Sequence, residues 1–194
     1  MAFIPRLSET SPSDIYISPL YMNNAWNAYG LIGWGMFPPQ HYGNCTAYAW
    51  ARFWEPADPQ SFNDRRPTLS MYNANYWFGY TQDGYSRGQV PQLGAVACWE
   101  DTTNPDGGHV AIVEQIHVDG SYTISESALD AFIFRTSRIY NNYYYEPRYS
   151  FQGFIYNPNV DPTPPPGTIK KWILMSKRRS DDDMGRYRRH TRRL

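Results

Sequence analysis

The sequence predicts an α+β fold in which N-terminal helices pack on an antiparallel β-sheet. Apolar residues recur with a helical period from Cys45 to about Trp77, and the period becomes strand-like from Ala95 onward. The pair Asp119-Gly120 lies between two apolar segments, which is a strong signal for a β-hairpin. Helices followed by a run of antiparallel strands are typical of the α+β class.

The helical part contains two predicted helices. Asn44 is a favourable N-cap residue, so the first helix is predicted over residues 45–54, and Pro56 prevents its continuation. The second is predicted over residues 69–77, followed by a glycine-rich loop at 79–92. Strands are predicted at residues 95–99, 108–117, 122–126, 131–140 and 151–156.

Prolines and charge divide the chain of 194 residues into four parts. Residues 1–40 contain five prolines and are predicted to be an N-terminal docking extension, and residues 41–156 form the predicted domain. Residues 157–167 are a proline-rich linker, and residues 168–194 are a basic tail. Ten of the 18 Lys and Arg residues, but three of the 18 acids, lie in residues 170–194, so the tail carries about +7 and the rest about −7. Such a tail is suited to docking in an assembly, or to anionic wall polymers or DNA.

The sequence disfavours three classes of protein: membrane-spanning proteins, proteins with a secretory signal and proteins built on a disulfide framework. It contains no apolar run long enough to cross a bilayer, and its first residues lack the pattern of a secretory signal. Two cysteines are too few for a disulfide framework. We interpret Cys98, within an apolar segment, as a small buried hydrophobic residue.

Cys45 is the candidate for nucleophilic chemistry. The cap at Asn44 places it on the first helical turn, where unpaired backbone amides carry partial positive charge. Such a position favours the reactive thiolate form of a cysteine. The alternative is a plain core cysteine, and this segment alone does not decide between the two.

A cysteine nucleophile needs a base, and the base needs a group that orients it. The four histidines are His41, His109, His117 and His190. His109 opens a predicted strand directly after two glycines, which leave its ring uncovered. His41 precedes the helix on a loop, His117 lies at the turn and is predicted to be structural, and His190 lies in the basic tail.

Two segments resemble the CHAP family, the cysteine, histidine-dependent amidohydrolases and peptidases that cut bacterial cell-wall peptidoglycan. They are Tyr-Gly-Asn-Cys-Thr-Ala-Tyr at 42–48 and Gly-His-Val-Ala-Ile-Val-Glu at 108–114. Four more resemble the family in the same order: Asn73-Ala74 with Trp77, Pro91 with residues 94–99, residues 119–126, and residues 151–156. The resemblance covers roughly residues 40–156 and implies a papain-like fold for the predicted domain.

The resemblance also implies roles for single residues. Cys45 matches the family's nucleophile, His109 the general base, and Glu126 the acid that orients the base. This chain has Ala95 and Ala128 where family members often have Asp and Asn. No metal or cofactor is expected.

Three residues are candidates for contacting substrate. They are Tyr42, Asn44 and Trp99, and core packing is the alternative for the two aromatic rings.

The predicted hairpin does not by itself bring Glu126 to His109. A two-residue turn at Asp119-Gly120 pairs Val113 with Glu126 and His109 with Asp130. Glu126 then faces the same side as His109 but lies roughly 13 Å along the strand. A bulge or strand curvature is needed to close that gap, and Asp130 is the alternative orienting acid.

The resemblance therefore predicts a peptidoglycan amidase or endopeptidase with a Cys–His mechanism. We expect a phage virion protein that opens the cell wall during genome entry, and that docks on other tail proteins through residues 1–40 and the basic tail. The alternatives are a free endolysin or autolysin, and a structural tail protein whose CHAP domain is inactive. The bond that is cut, muramoyl–L-alanine or one within the peptide cross-link, stays open.

Overall fold

The computed structural model describes residues 3–8, 44–57, 66–128 and 132–161. Within these residues the elements are α1 (Cys45–Trp54), β1 (Arg87–Gly88), β2 (Val96–Asp101), β3 (His109–Ile116), β4 (Tyr122–Ala128), β5 (Phe132–Ile139) and β6 (Tyr149–Ile155). Short 3-10 turns lie at Glu55–Ala57, Ala74–Tyr76 and Thr81–Asp83. None of the described helices is long and apolar enough to cross a membrane.

The strands form one sheet in the order β1-β6-β2-β3-β4-β5, and all neighbouring strands are antiparallel. Helix α1 contacts β3 and β4. The predicted α+β class is therefore confirmed. Helix α1 has the predicted bounds, because Asn44 Oδ1 accepts hydrogen bonds from the amides of Thr46 and Ala47.

Two local predictions were wrong. The helix expected over residues 69–77 is only the 3-10 turn Ala74–Tyr76, because Asn75 uses its backbone and side chain to bind another loop. The segment 79–92, predicted as loop, contains β1, which pairs with β6 at the edge of the sheet.

The core has two layers, one on each face of the sheet. Almost all of α1 is buried, and its Trp50, Phe53 and Trp54 pack on one face. Trp99, Tyr122 and further residues form the second apolar cluster. Burying each large side chain contributes about 2–3 kcal/mol, so α1 is held chiefly by packing.

Cys98 belongs to the helix-facing layer and is 0% exposed. Its interpretation as a small buried hydrophobic residue is confirmed. Burial raises the pKa of this thiol, which keeps it in the neutral form. Cys45 and Cys98 are both free thiols.

A buried ion pair joins α1 to β3. Arg52 Nε lies 2.9 Å from Glu114 Oε1, and Arg52 Nη2 lies 2.8 Å from Glu114 Oε2. Ser125 Oγ also donates to the Glu114 carboxylate, at 2.6 Å. Because Glu114 is 0% exposed, these donors must replace the water that its charge has lost.

The first described segment, residues 3–8, completes this pair. The Arg6 amide donates to Glu114 Oε2 at 2.8 Å, and the Ile4 carbonyl accepts from Arg52 Nη2 at 2.7 Å. The Phe3 ring lies 4.8 Å from the Arg52 guanidinium. Part of the predicted docking extension is thus packed on the chain's own helix, and its docking to other proteins stays a prediction.

Candidate active site

The predicted nucleophile and base both stand at the beginning of an element. Cys45 is the first residue of α1 and is half-buried, and His109 is the first residue of β3 and is 4% exposed. The Cys45 side chain lies close enough to His109 to raise the pKa of the imidazole. The helix start and the strand start therefore meet, as a thiol–imidazole pair requires.

Glu126, the predicted orienting acid, lies beside His109. The distance from His109 Nε2 to Glu126 Oε2 is 2.7 Å. A carboxylate only accepts, so Nε2 carries the proton in this bond, and Nδ1 is the nitrogen left for Cys45. The structure thus brings together Cys45, His109 and Glu126.

The predicted separation of roughly 13 Å between Glu126 and His109 was wrong for two reasons. The hairpin has a three-residue loop, since the pairs next to it are Ile116 with Tyr122 and, by a backbone hydrogen bond, His117 with Ser121. A bulge at Glu114 then shifts the register once more, which pairs Ile112 with Ser125. Together these shifts slide β4 toward the start of β3, and the two side chains span the remaining gap.

The carboxylate of Glu126 is a fully buried acceptor with four side-chain donors. Oε2 accepts from His109 and from the Tyr144 hydroxyl, each at 2.7 Å. Oε1 accepts from Ser137 Oγ at 2.7 Å and from Arg135 Nε at 3.1 Å. These donors hold the carboxylate charged in a site where water would otherwise be needed.

The electrostatics of this cluster favour a protonated imidazole. Burial alone would lower the pKa of His109, but its interactions with Cys45 and Glu126 outweigh burial and raise the pKa to about 9. Burial would raise the pKa of Glu126, but the hydrogen bonds from His109, Ser137 and Tyr144 lower it to about 2. His109 and Glu126 are therefore an imidazolium–carboxylate pair at neutral pH.

A polar contact sets the position of α1 relative to β4. The amide of Asn44 donates to Ser127 Oγ at 3.0 Å, and Ser127 Oγ donates to the Phe132 carbonyl at 3.1 Å. Ser127 directly follows Glu126, so the residue that caps α1 is tied to the strand that carries the acid. This contact fixes Cys45 with respect to the His109–Glu126 pair.

Asn75 shapes the loop that precedes His109. Its Oδ1 accepts from the Asp101 amide at 2.8 Å, and its Nδ2 donates to the carbonyls of Asn104 and Pro105. Its own amide donates to the Gly107 carbonyl at 3.1 Å. These four bonds connect the Ala74–Tyr76 turn to the loop between β2 and β3. They fix the backbone of the residues that directly precede His109.

Gly108→Ala is expected to lower the free energy of unfolding by about 2–4 kcal/mol. Gly108 has a φ of +91°, and an added Cβ would lie 2.5 Å from Asn75 Oδ1 and 2.9 Å from the Trp99 carbonyl oxygen. Gly120→Ala is the matched control, because Gly120 has a φ of +84° and an added Cβ would meet nothing within 4 Å. Urea unfolding measures both variants, and equal losses would show that the contact with Asn75 is unimportant.

The three residues predicted to contact substrate, Tyr42, Asn44 and Trp99, differ in where the structure places them. Trp99 is 0% exposed and its ring centroid lies 6.2 Å from that of His109, so it supports the site from within the core, and the expected contact with substrate is not available to it. The side chain of Asn44 is engaged as the helix cap. Tyr42, Asp130, His41 and His190 lie outside the described residues.

His117 has a structural contact. Its Nε2 lies 2.9 Å from Thr123 Oγ1, at the end of β3 away from His109. In the described ranges, no three His, Cys, Asp or Glu side chains come together as a metal-binding group. The expectation that the protein needs no metal stays a prediction.

Four residues of the site were missed by sequence reasoning, namely Ser127, Arg135, Ser137 and Tyr144. Three of them have no local signal, because they depend on the pairing of β4 with β5 and on the position of α1. For Tyr144 a signal exists in the run Asn-Asn-Tyr-Tyr-Tyr at 141–145, which combines turn-forming residues with aromatic ones.

The fold and the site define an α+β protein in which a cysteine at a helix start meets a buried histidine–carboxylate pair. Residues 34–128 match the model of the CHAP domain. Residues 34–128 are therefore a CHAP domain, as the resemblance of the chain's segments predicted, and the α+β class is the one expected. The predicted boundaries of the extension, linker and tail stay predictions.

Two curated relatives come from Staphylococcus aureus (strain NCTC 8325 / PS 47). The probable autolysin SsaALP is 36% identical over 87 residues, which are 43% of this chain and 28% of the relative. The probable autolysin LDP is 32% identical over 104 residues, which are 50% of this chain and 32% of the relative. This chain thus spans about a third or less of the curated relatives it matches.

Among solved structures, an N-acetylmuramoyl-L-alanine amidase from Staphylococcus aureus is 28% identical in sequence. The match covers 50% of this chain and 27% of that chain, with a TM-score of 0.40.

Proposed function

We propose that this protein is a peptidoglycan hydrolase that cleaves an amide bond with Cys45 as the nucleophile. The observation that carries the proposal is the buried hydrogen bond between His109 and Glu126, next to Cys45 at the start of α1. A CHAP domain and relatives named as autolysins support cell-wall peptidoglycan as the substrate.

The chemistry follows from the charges of the site. The Cys45 thiolate attacks the amide carbonyl, and the electron pair of the carbonyl moves to its oxygen. The His109 imidazolium then gives its proton to the leaving amine, and a thioester with Cys45 forms. Water, deprotonated by neutral His109, then attacks the thioester and the Cys45 thiolate leaves, which restores the thiolate–imidazolium pair. The carboxylic acid product loses its proton to solvent.

The start of α1 supports the oxyanion that forms in each step. Asn44 Oδ1 caps the amides of Thr46 and Ala47, and no described residue accepts from the Cys45 amide. That N–H is available to the developing negative charge, and the helix N-terminus adds partial positive charge. The donor is in place before substrate arrives.

The test is digestion of purified Gram-positive peptidoglycan by the full chain, with and without prior treatment with iodoacetamide. We expect clearing of the suspension by the untreated protein and none after alkylation of Cys45. Mass spectrometry of the released fragments identifies the new termini, and so distinguishes a muramoyl–L-alanine amidase from a cross-link endopeptidase. Undiminished clearing after complete alkylation would contradict the cysteine mechanism. Absence of clearing by the untreated protein would support an inactive, structural CHAP domain.

Glu126→Gln is expected to move the alkaline limb of the pH profile of kcat/KM to lower pH. The limb reports the loss of the His109 proton, whose pKa of about 9 is raised by Cys45 and Glu126. Without the carboxylate charge the imidazolium is less stable, so the midpoint of the alkaline limb shifts to lower pH by about 1–3 pH units. Asp119→Asn removes the same charge at the far end of the hairpin and is expected to leave the limb in place. An unshifted limb in Glu126→Gln would remove Glu126 from the role of orienting acid.

For the location we propose a phage virion, with the protein as a tail component that degrades the wall during genome entry. The support is in the sequence, in the docking-type extension at residues 1–40 and the basic tail beyond the proline-rich linker. The relatives named as autolysins favour a second candidate, a free lytic enzyme that acts on the wall outside a particle. Mass spectrometry of purified virions separates the two, because the first candidate requires this chain in the particles.

A further inference from the structure

The turn between β5 and β6 has a specialised backbone. Asn141 and Asn142 have φ angles of 52° and 61°, and the Tyr143 amide donates to the Tyr140 carbonyl at 3.0 Å. Positive φ at both central residues is the signature of a type I′ turn, which asparagine tolerates better than most residues. Tyr140 and Tyr143 also form an isolated β-bridge. The turn is thus a tight, defined structure.

Two neighbouring strands pin this turn through Asn142. Trp99 Nε1, from β2, donates to the Asn142 carbonyl at 2.8 Å. The Tyr122 hydroxyl, from β4, lies 3.1 Å from Asn142 Oδ1. Both donors belong to buried side chains, so the backbone just before Tyr144 has little freedom.

Tyr144 makes two different contacts with the His109–Glu126 pair. Its ring is stacked on the imidazole, with centroids 4.6 Å apart and an interplanar angle of 21°. Its hydroxyl donates to Glu126 Oε2 at 2.7 Å, the same oxygen that binds His109 Nε2. Trp99 packs behind Tyr144 at 5.1 Å. The three groups form a closed triangle in which Tyr144 is 6% exposed.

We propose that Tyr144 is a positioning residue, which fixes the plane of the His109 ring by stacking and the rotation of the Glu126 carboxylate by its hydroxyl. With both held, the imidazole keeps Nδ1 directed at Cys45 through the attack and the proton transfer. The pinned Asn141-Asn142 turn delivers Tyr144 to this position before substrate binds. The proposal rests on the proposed function, and it extends the site to the β5–β6 connection.

Two substitutions separate the two contacts. Tyr144→Phe keeps the stacking and loses the hydroxyl, and we expect kcat to fall about tenfold, as for a lost hydrogen bond to a charged group. Tyr144→Leu loses both contacts, and we expect kcat to fall about 100-fold, since a misplaced catalytic group costs that much. KM is expected to change less than twofold in both, because Tyr144 holds the imidazole and the carboxylate and has no proposed contact with substrate.

Tyr143→Phe is the matched control. Tyr143 lies in the same turn and is 56% exposed, and its hydroxyl is 3.4 Å from the Tyr145 carbonyl oxygen. We expect its kcat and KM to equal those of the wild type. The control shows that removing a hydroxyl from this turn is harmless unless the hydroxyl reaches Glu126.

Alkylation of Cys45 by iodoacetamide gives a readout that needs no substrate. The rate reports the reactivity of the Cys45 thiol beside His109, and buried Cys98 is the unreactive internal reference. We expect slower alkylation of Cys45 in Tyr144→Leu than in the wild type, at a pH where circular dichroism shows both to be folded. A merely structural Tyr144 would lower the melting temperature but leave kcat and the alkylation rate unchanged, and that result would overturn the proposal. If instead Cys45→Ala keeps full activity, the proposed function fails, whatever Tyr144 does.

Discussion

Cys45→Ala is expected to reduce the rate of peptidoglycan cleavage by about 10⁴-fold or more, with the fold intact. The substitution removes the atom that attacks the carbonyl, and no other described thiol can replace it, because Cys98 is 0% exposed in the helix-facing core. Cys45 is half-buried at the helix start, so loss of its sulfur leaves little void. The measurement is the rate of release of new amino or carboxyl termini from purified wall.

Cys98→Ala is the control for this experiment. It removes the same atom from the same residue type, and its site is separated from the imidazole by the sheet. We expect it to retain wild-type kcat and to lose only a small amount of stability. Equal activity of Cys45→Ala and Cys98→Ala would contradict the assignment of the nucleophile.

Glu114→Ala is expected to lower the free energy of unfolding by about 3–5 kcal/mol, the usual cost of leaving one partner of a buried ion pair alone. The variant would leave the Arg52 guanidinium, which is 6% exposed, without its buried carboxylate partner. It would also remove the acceptor of the Arg6 amide. Arg52 keeps its contact with Glu55, which moderates the loss. Urea unfolding followed by tryptophan fluorescence measures the change.

Glu146→Ala is the control, since Glu146 pairs with Arg148 at 2.7 Å on the surface and their side chains are 55% and 45% exposed. Water solvates both charges, so the unfolding midpoint is expected to stay where it is. A midpoint for Glu114→Ala that matches this control would mean that the buried pair does not hold α1 on the sheet.

Local signals were sufficient for the elements whose ends are set by their own residues. Asn44 caps α1 with its side chain, and Pro56 lies just beyond the last helical turn, so the bounds of α1 could be predicted. Strands β2 to β6 were located because alternation and β-branched residues are local properties. Asn75 shows the limit, since its bonds to a distant loop replaced the predicted helix by one 3-10 turn.

The distance between His109 and Glu126 could not be predicted from the turn sequence. Register depends on loop length and bulges, and the bulge at Glu114 accompanies a carboxylate held by Arg52 of α1. The resemblance to the CHAP family named Glu126 although the predicted pairing favoured Asp130, and the structure places Glu126 at the imidazole. For Tyr144 the run Asn-Asn-Tyr-Tyr-Tyr at 141–145 signals a turn with aromatic residues, but it does not show that this turn approaches β3.

The contacts of residues 3–8 belong to the folded structure although these residues precede the match to the CHAP domain. The match to the CHAP domain starts at residue 34, yet the amide of Arg6 and the carbonyl of Ile4 complete the shell around Arg52 and Glu114. A chain trimmed to residues 34–128 would keep Cys45, His109 and Glu126, but it would lose β5, β6 and the contacts of residues 3–8 with the buried Arg52–Glu114 pair. The buried ion pair that joins α1 to the sheet therefore depends on residues that the match to the CHAP domain does not include.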